Sequence, residues 1–245
     1  MKTWMVLTLS TLLMACASSG PIPEQGKESV EGAIVNVKLA TGYIQQGDYE
    51  VALDKLKRAL EFDPNYATAH TVIGVLYGRI GKLELAGKHY KRATELNPHD
   101  GGVLNNYGQY LCQTQQYDAA FPYFERALEE PFYHTPESAL ANAGRCAIDQ
   151  GDLEKAELYL RRALKKSPGY PPTLLDLAEL MKLRGDNLKA RAFLERFHAT
   201  RQVSAQSLYM GYDIESKLGD TKASQEYRRK LIQQFPDSAL TNSIL

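Results

Sequence analysis

The chain has 245 residues, of which 44% are hydrophobic and 24% charged, and its 29 Lys and Arg are balanced by 29 Asp and Glu. A net charge of zero argues against a nucleic-acid binder that relies on a strong positive field, and against a basic membrane-surface patch. The apolar fraction is that of a folded chain, and three cysteines are too few for a disulfide scaffold.

Residues 1–15 read as a targeting segment. Lys2 supplies a small positive start, and Trp4 to Ala15 is apolar apart from Thr and Ser. That run is shorter than the roughly 20 residues a spanning helix needs. It ends in Leu13-Met14-Ala15-Cys16, which resembles the lipobox of bacterial lipoproteins. The resemblance implies cleavage before Cys16, lipid attachment to its thiol and, because Ala17 follows, transport to the outer membrane with the chain facing the periplasm. The alternative is an ordinary secretory peptide that leaves Cys16 a free thiol. Residues 16–32, including Ser18-Ser19-Gly20-Pro21, read as the lipidated cysteine and a flexible tether.

After the tether the sequence repeats itself. Ala52, Ala86, Ala120, Ala156 and Ala190 recur at or near 34 residues, and Ala59, Ala93, Ala127 and Ala163 follow seven residues later. Gly47, Gly81, Gly151, Gly185 and Gly219 keep the same phase, with Gln115 in the missing slot, and Pro64, Pro98, Pro168 and Pro236 close the units. This pattern resembles the tetratricopeptide repeat. It implies an all-α, right-handed superhelical solenoid of about six repeats of paired antiparallel helices. The frame spans 33–238 as 33–66, 67–100, 101–134, 137–170, 171–204 and 205–238, with a tail at 239–245.

The physics of each unit agrees. Two amphipathic helices flank a glycine turn, alanine allows close helix approach, and Leu56, Tyr90, Phe124 and Leu160 lie one turn beyond the first alanine to fill the interface. The prolines stop each second helix. Between the third and fourth units, Glu130 to Pro136 carries two extra residues, which should change the local angle. In the last two units Phe197 and Leu231 replace the second alanine and Ser224 the first, as suits a terminal cap.

Signals for chemistry are weak. Gly74, Gly78 and Gly81-Lys82 lack the spacing of a phosphate loop, and His70, His89, His99, His134 and His198 show no metal-ligand spacing. No nucleophile–base constellation or G-x-S-x-G elbow is present, so no enzyme activity, cofactor, metal or small-molecule substrate is expected, and no nucleic acid. Cys112 and Cys146 could form a disulfide or stay as two buried small hydrophobes. The second is favoured, because packed helices usually hold their Cα atoms beyond the ~7 Å limit for a bridge.

Tetratricopeptide arrays hold partners on the concave face, at positions 2, 5, 9 and 12 of each first helix. Those positions give Thr71, Val75, Asn105, Gln109, Ser138, Ala141 and Arg145 as candidate partner contacts. Asn and Gln there can hydrogen-bond a bound backbone or simply be solvated. Val37, Thr71 and Ser138 stand where a carboxylate clamp would place Lys, which argues against capture of an acidic C-terminus. The Cys16 lipobox, the short tether, the repeat count, the opening turn Gly42-Tyr43-Ile44-Gln45-Gln46-Gly47-Asp48-Tyr49 and the stretch Leu104-Asn105-Asn106-Tyr107-Gly108 together resemble the PilF/PilW family of type IV pilus biogenesis lipoproteins. That resemblance implies a pilotin, which binds secretin subunits and promotes their outer-membrane localisation and multimerisation. The alternative from another class is a periplasmic adaptor for cell-wall enzymes or outer-membrane protein assembly.

Overall fold

The computed structural model describes residues 24–245, and these form thirteen α-helices and no strand. The targeting segment, Cys16 and the first part of the tether lie outside the described residues. Six antiparallel pairs follow in order: α1 (Glu24–Gln46) with α2 (Tyr49–Phe62), α3 (Ala67–Arg79) with α4 (Leu83–Leu96), and α5 (Gly101–Gln113) with α6 (Tyr117–Glu129). Then come α7 (Pro136–Gln150) with α8 (Leu153–Lys166), α9 (Pro171–Leu183) with α10 (Asn187–Ala199), and α11 (Ala205–Leu218) with α12 (Thr221–Gln234). A single turn, α13 (Ala239–Asn242), ends the chain. Each odd-numbered helix packs on the next odd-numbered one, whereas the even-numbered helices make no comparable contact with each other. The odd row is therefore the tighter, concave side of a solenoid.

The repeating residues account for this geometry. Gly47, Gly81, Gly151, Gly185 and Gly219 sit at φ between 75° and 87°, and reverse the chain between the helices of a pair. Gln115 adopts φ 60° in the equivalent slot. Ala52, Ala86, Ala120, Ala156 and Ala190 are fully buried, as are Ala59, Ala93, Ala127 and Ala163. The large residue one turn after the first alanine packs over a glycine of the first helix. A Cβ on Gly74 would lie 2.8 Å from the Tyr90 ring, and one on Gly144 would lie 2.5 Å from Leu160. Where the pattern drifts, the substitutes are still accommodated: Phe197 and Leu231 are buried, and the Ser224 hydroxyl bonds that of Ser216 at 2.7 Å.

Two expectations are corrected. The tether was expected to reach residue 32, but α1 already begins at Glu24, because no proline interrupts the stretch from there to Gln46. The tail at 239–245 docks on the last repeat: Thr241 is buried and donates to the Phe235 carbonyl at 2.6 Å, and Arg228 donates to the Ile244 carbonyl at 3.0 Å. Cys112 and Cys146 are disulfide-bonded, with Cα atoms 5.6 Å apart, well inside the bridging range. Their helices, α5 and α7, pack directly, and the buried residues beside Cys146 are the small Ala143 and Ala147, which let the backbones approach.

Candidate partner-binding groove

The concave row presents one register of side chains from successive helices. Position 9 of the first helix supplies Val75, Gln109 and Arg145, and all three line one groove of about 500 Å³ across α3, α5 and α7. Four residues further along each helix, on the same face, come Arg79, Gln113 and Asp149, which line it as well. Gly78, Tyr90 and Cys112 also border the groove, with Asn142 beside Arg145. The sequence reading missed the second row, although the i, i+4 step from each position 9 residue points straight to it.

The other four expected contacts do not line the groove. Thr71 is buried and its hydroxyl donates to the Ala67 carbonyl at 3.0 Å. Asn105 is buried and accepts from Asn142 Nδ2 at 3.0 Å. Ala141 is buried, and Ser138 sits half-buried in the first turn of α7, where its N–H donates to the Thr135 carbonyl at 3.0 Å. These are positions 2 and 5, in the N-terminal halves of their helices. There the side chains turn into the packing between repeats, and the surface opens only toward the C-terminal halves.

The far wall of the groove is an ion-pair cluster. Arg145 donates from Nε to Asp176 at 2.9 Å and from Nη2 to Glu179 at 2.6 Å, with a further Nη2 bond to Asp176 and a looser contact to Asp149 at 3.6 Å. Burial opposes the charge on Arg145, but the bonds to Glu179 and Asp176 more than offset it and hold the guanidinium protonated. Burial pushes the Asp176 carboxyl up to about 6 against the pull of Arg145. It raises the Asp149 carboxyl too. Three carboxylates around one guanidinium leave the wall net negative. Glu179 also accepts from Gln206 Nε2 of α11 at 3.3 Å, which ties three repeats together.

The near wall differs. Arg79 is exposed and makes no ion pair or side-chain hydrogen bond among the described residues, and the amides of Gln109 and Gln113 are likewise without side-chain partners there. With Cys112 tied up in the disulfide, the groove offers no free thiol. What it presents is amides, one open cation and a negative wall, over Val75 and Tyr90.

A second surface escaped the sequence reading. Helix α1 buries Ala33, Val37, Ala40 and Ile44, but its other side leaves Val30, Ile34, Val35 and Leu39 exposed at 44–49%. Val35, Leu39 and Tyr43 line a shallow groove of about 650 Å³, and Phe62 continues the apolar surface over Gly32. The helical periodicity reports the buried stripe; it does not reveal that the opposite stripe has no packed neighbour among the described residues.

The tetratricopeptide-repeat pattern matches residues 42–81, 72–132, 105–171 and 147–206. The chain is 26% identical to the type IV pilus assembly protein PilF of Pseudomonas aeruginosa over 238 residues, 96% of this chain and 94% of that one. An uncharacterized protein of Haemophilus influenzae is 33% identical over 127 residues, covering 52% of this chain and 69% of its own. The crystal structure of PilW, a widely conserved type IV pilus biogenesis factor, superposes with a TM-score of 0.78 at 29% identity, covering 86% of this chain and 97% of that one.

Proposed function

Since the chain belongs to the tetratricopeptide-repeat proteins and is homologous to PilF, we propose that it is a pilotin for type IV pilus biogenesis. In this reading it is an outer-membrane lipoprotein, anchored through Cys16 and facing the periplasm, that binds secretin subunits and promotes their localisation and multimerisation. The observation that carries the reading is the match to PilF over 96% of this chain and 94% of that one.

The mechanism needs no bond chemistry. Acyl chains on Cys16 supply the address, because each buried methylene contributes about 0.8 kcal/mol and two or more chains anchor stably. The solenoid supplies rigid docking surfaces: the polar groove across α3, α5 and α7, and the apolar side of α1. A secretin subunit held on either would travel with the lipoprotein and arrive at the outer membrane with its neighbours. Cells lacking the chain are expected to lose secretin multimers from their outer-membrane fraction. The intact gene restores them and Cys16→Ser does not. Full restoration by Cys16→Ser contradicts anchoring as the delivery step.

A further inference from the structure

We infer that the groove across α3, α5 and α7 takes an extended polypeptide segment, with an acidic side chain on Arg79 and a basic side chain toward Asp149. The inference rests on the reading of this groove as a partner site, and assigns its ligand class. Four observations carry it. Arg79 is a solvent-facing guanidinium with no ion pair among the described residues, so a carboxylate from a ligand would meet a cation that no internal acid has neutralised. At the opposite wall, Asp149, Asp176 and Glu179 share the single cation Arg145, and Asp149 holds it only loosely, at 3.6 Å. The surplus negative charge there disfavours a second carboxylate and favours an ammonium or guanidinium.

Between the two walls stand Gln109 and Gln113, one turn apart on α5, each with a donor and an acceptor open. That is what a backbone alternating N–H and C=O along the groove requires. The floor of Val75 and Tyr90 is apolar enough to take one small side chain. Two helix-to-helix steps of 8–10 Å separate α3 from α7, roughly 16–20 Å, which an extended chain at about 3.3 Å per residue spans in about five or six residues. The ligand is therefore a strand-like segment with an acid and a base about that far apart.

The test is selection of a random dodecapeptide display library on the purified full chain in detergent. Enriched peptides should share an acidic and a basic residue five or six apart. Arg79→Glu should weaken their binding at least tenfold while leaving the melting temperature unchanged, and exchanging the peptide's acidic residue for Lys should restore binding to that variant. Enriched peptides without this pair, unchanged affinity for Arg79→Glu, or no enrichment at all would overturn the inference. So would binding abolished by Leu39→Asp and kept by Arg79→Glu, which places the ligand on α1. Secretin recovery is a separate readout: peptides that bind as described to a chain that recovers no secretin refute the pilotin reading and leave the groove assignment standing. Secretin recovered equally by the wild type and Arg79→Glu, with no acid–base peptide enriched, does the reverse.

Discussion

Gln115 carries the turn between α5 and α6 at φ 60°, in the slot that glycine fills in five other repeats. A residue with a Cβ pays about 1–2 kcal/mol in that conformation, and nothing about its exposed side chain offsets the cost. Gln115→Gly should stabilise the chain by about 1 kcal/mol, seen as a rise of roughly 2–4 °C in melting temperature for a domain of this size. A fall would mean that the turn draws something specific from the glutamine. The gap was legible in the sequence as a break in the glycine series; that the backbone keeps its shape there regardless was not, because the neighbouring helices impose it.

His89 offers a second test at this scale. His70 Nε2 lies 3.2 Å from the Pro64 carbonyl and donates to it, so its Nδ1 accepts from His89 Nδ1–H at 3.0 Å. This arrangement suits two neutral rings. Burial, and secondarily the nearby His70, lower the His89 pKa below its ordinary 6.5. The unfolded chain then takes up a proton near pH 6.5 where the folded chain does not yet. The stability from the neutral ring is complete above that pH and is lost as pH falls from 6.5 through the lowered folded value. The melting temperature should drop between pH 7 and pH 5.5, with a shallower slope in His89→Gln. Identical slopes would remove His89 from the account, leaving His198, which burial lowers in the same direction.

Among the elements, the join of the third and fourth repeats departs most from regularity. The two extra residues before Pro136 lengthen the connection there, and the disulfide from α5 to α7 closes a loop of sequence separation 34 across it. Closing a loop of that length stabilises by about 3–4 kcal/mol through the unfolded chain. The double variant Cys112→Ala with Cys146→Ala should therefore melt roughly 6–16 °C lower, and reductant should lower the wild type but not the variant. A variant that melts with the wild type would show that packing alone sets the join. The cysteines occupy repeat positions 12 and 10 of neighbouring first helices, which could bring them close, and only the usual spacing of packed helices argued for distance. Their separation of 34 equals the repeat period, so the two-residue insertion moves Cys146 out of register with Cys112, and the direct packing of α5 on α7 still holds their Cα atoms 5.6 Å apart.

At the scale of the whole molecule, the 34-residue period made the fold legible, because each unit buries its apolar stripe only against its neighbours. The ladder of Ala52, Ala86, Ala120 and Ala156 marks that contact without any coordinates. The site was half legible. Position 9 led to Val75, Gln109 and Arg145; Arg79, Gln113 and Asp149 were one i, i+4 step away, but that the groove opens toward that end of the helices is seen only in the assembled solenoid. The apolar side of α1 was hidden because amphipathic spacing identifies a face that needs burial, and this first helix has two such faces and, among the described residues, one set of neighbours.

The central claim, that this solenoid is a secretin-binding lipoprotein, is met most directly by a pull-down of the full chain from detergent-solubilised membranes, read by mass spectrometry beside a Cys16→Ser control. The account predicts a secretin as the dominant partner of both forms, recovered from the outer membrane with the wild type and from the inner membrane with Cys16→Ser. Cell-wall enzymes or outer-membrane assembly subunits, with no secretin, would contradict it.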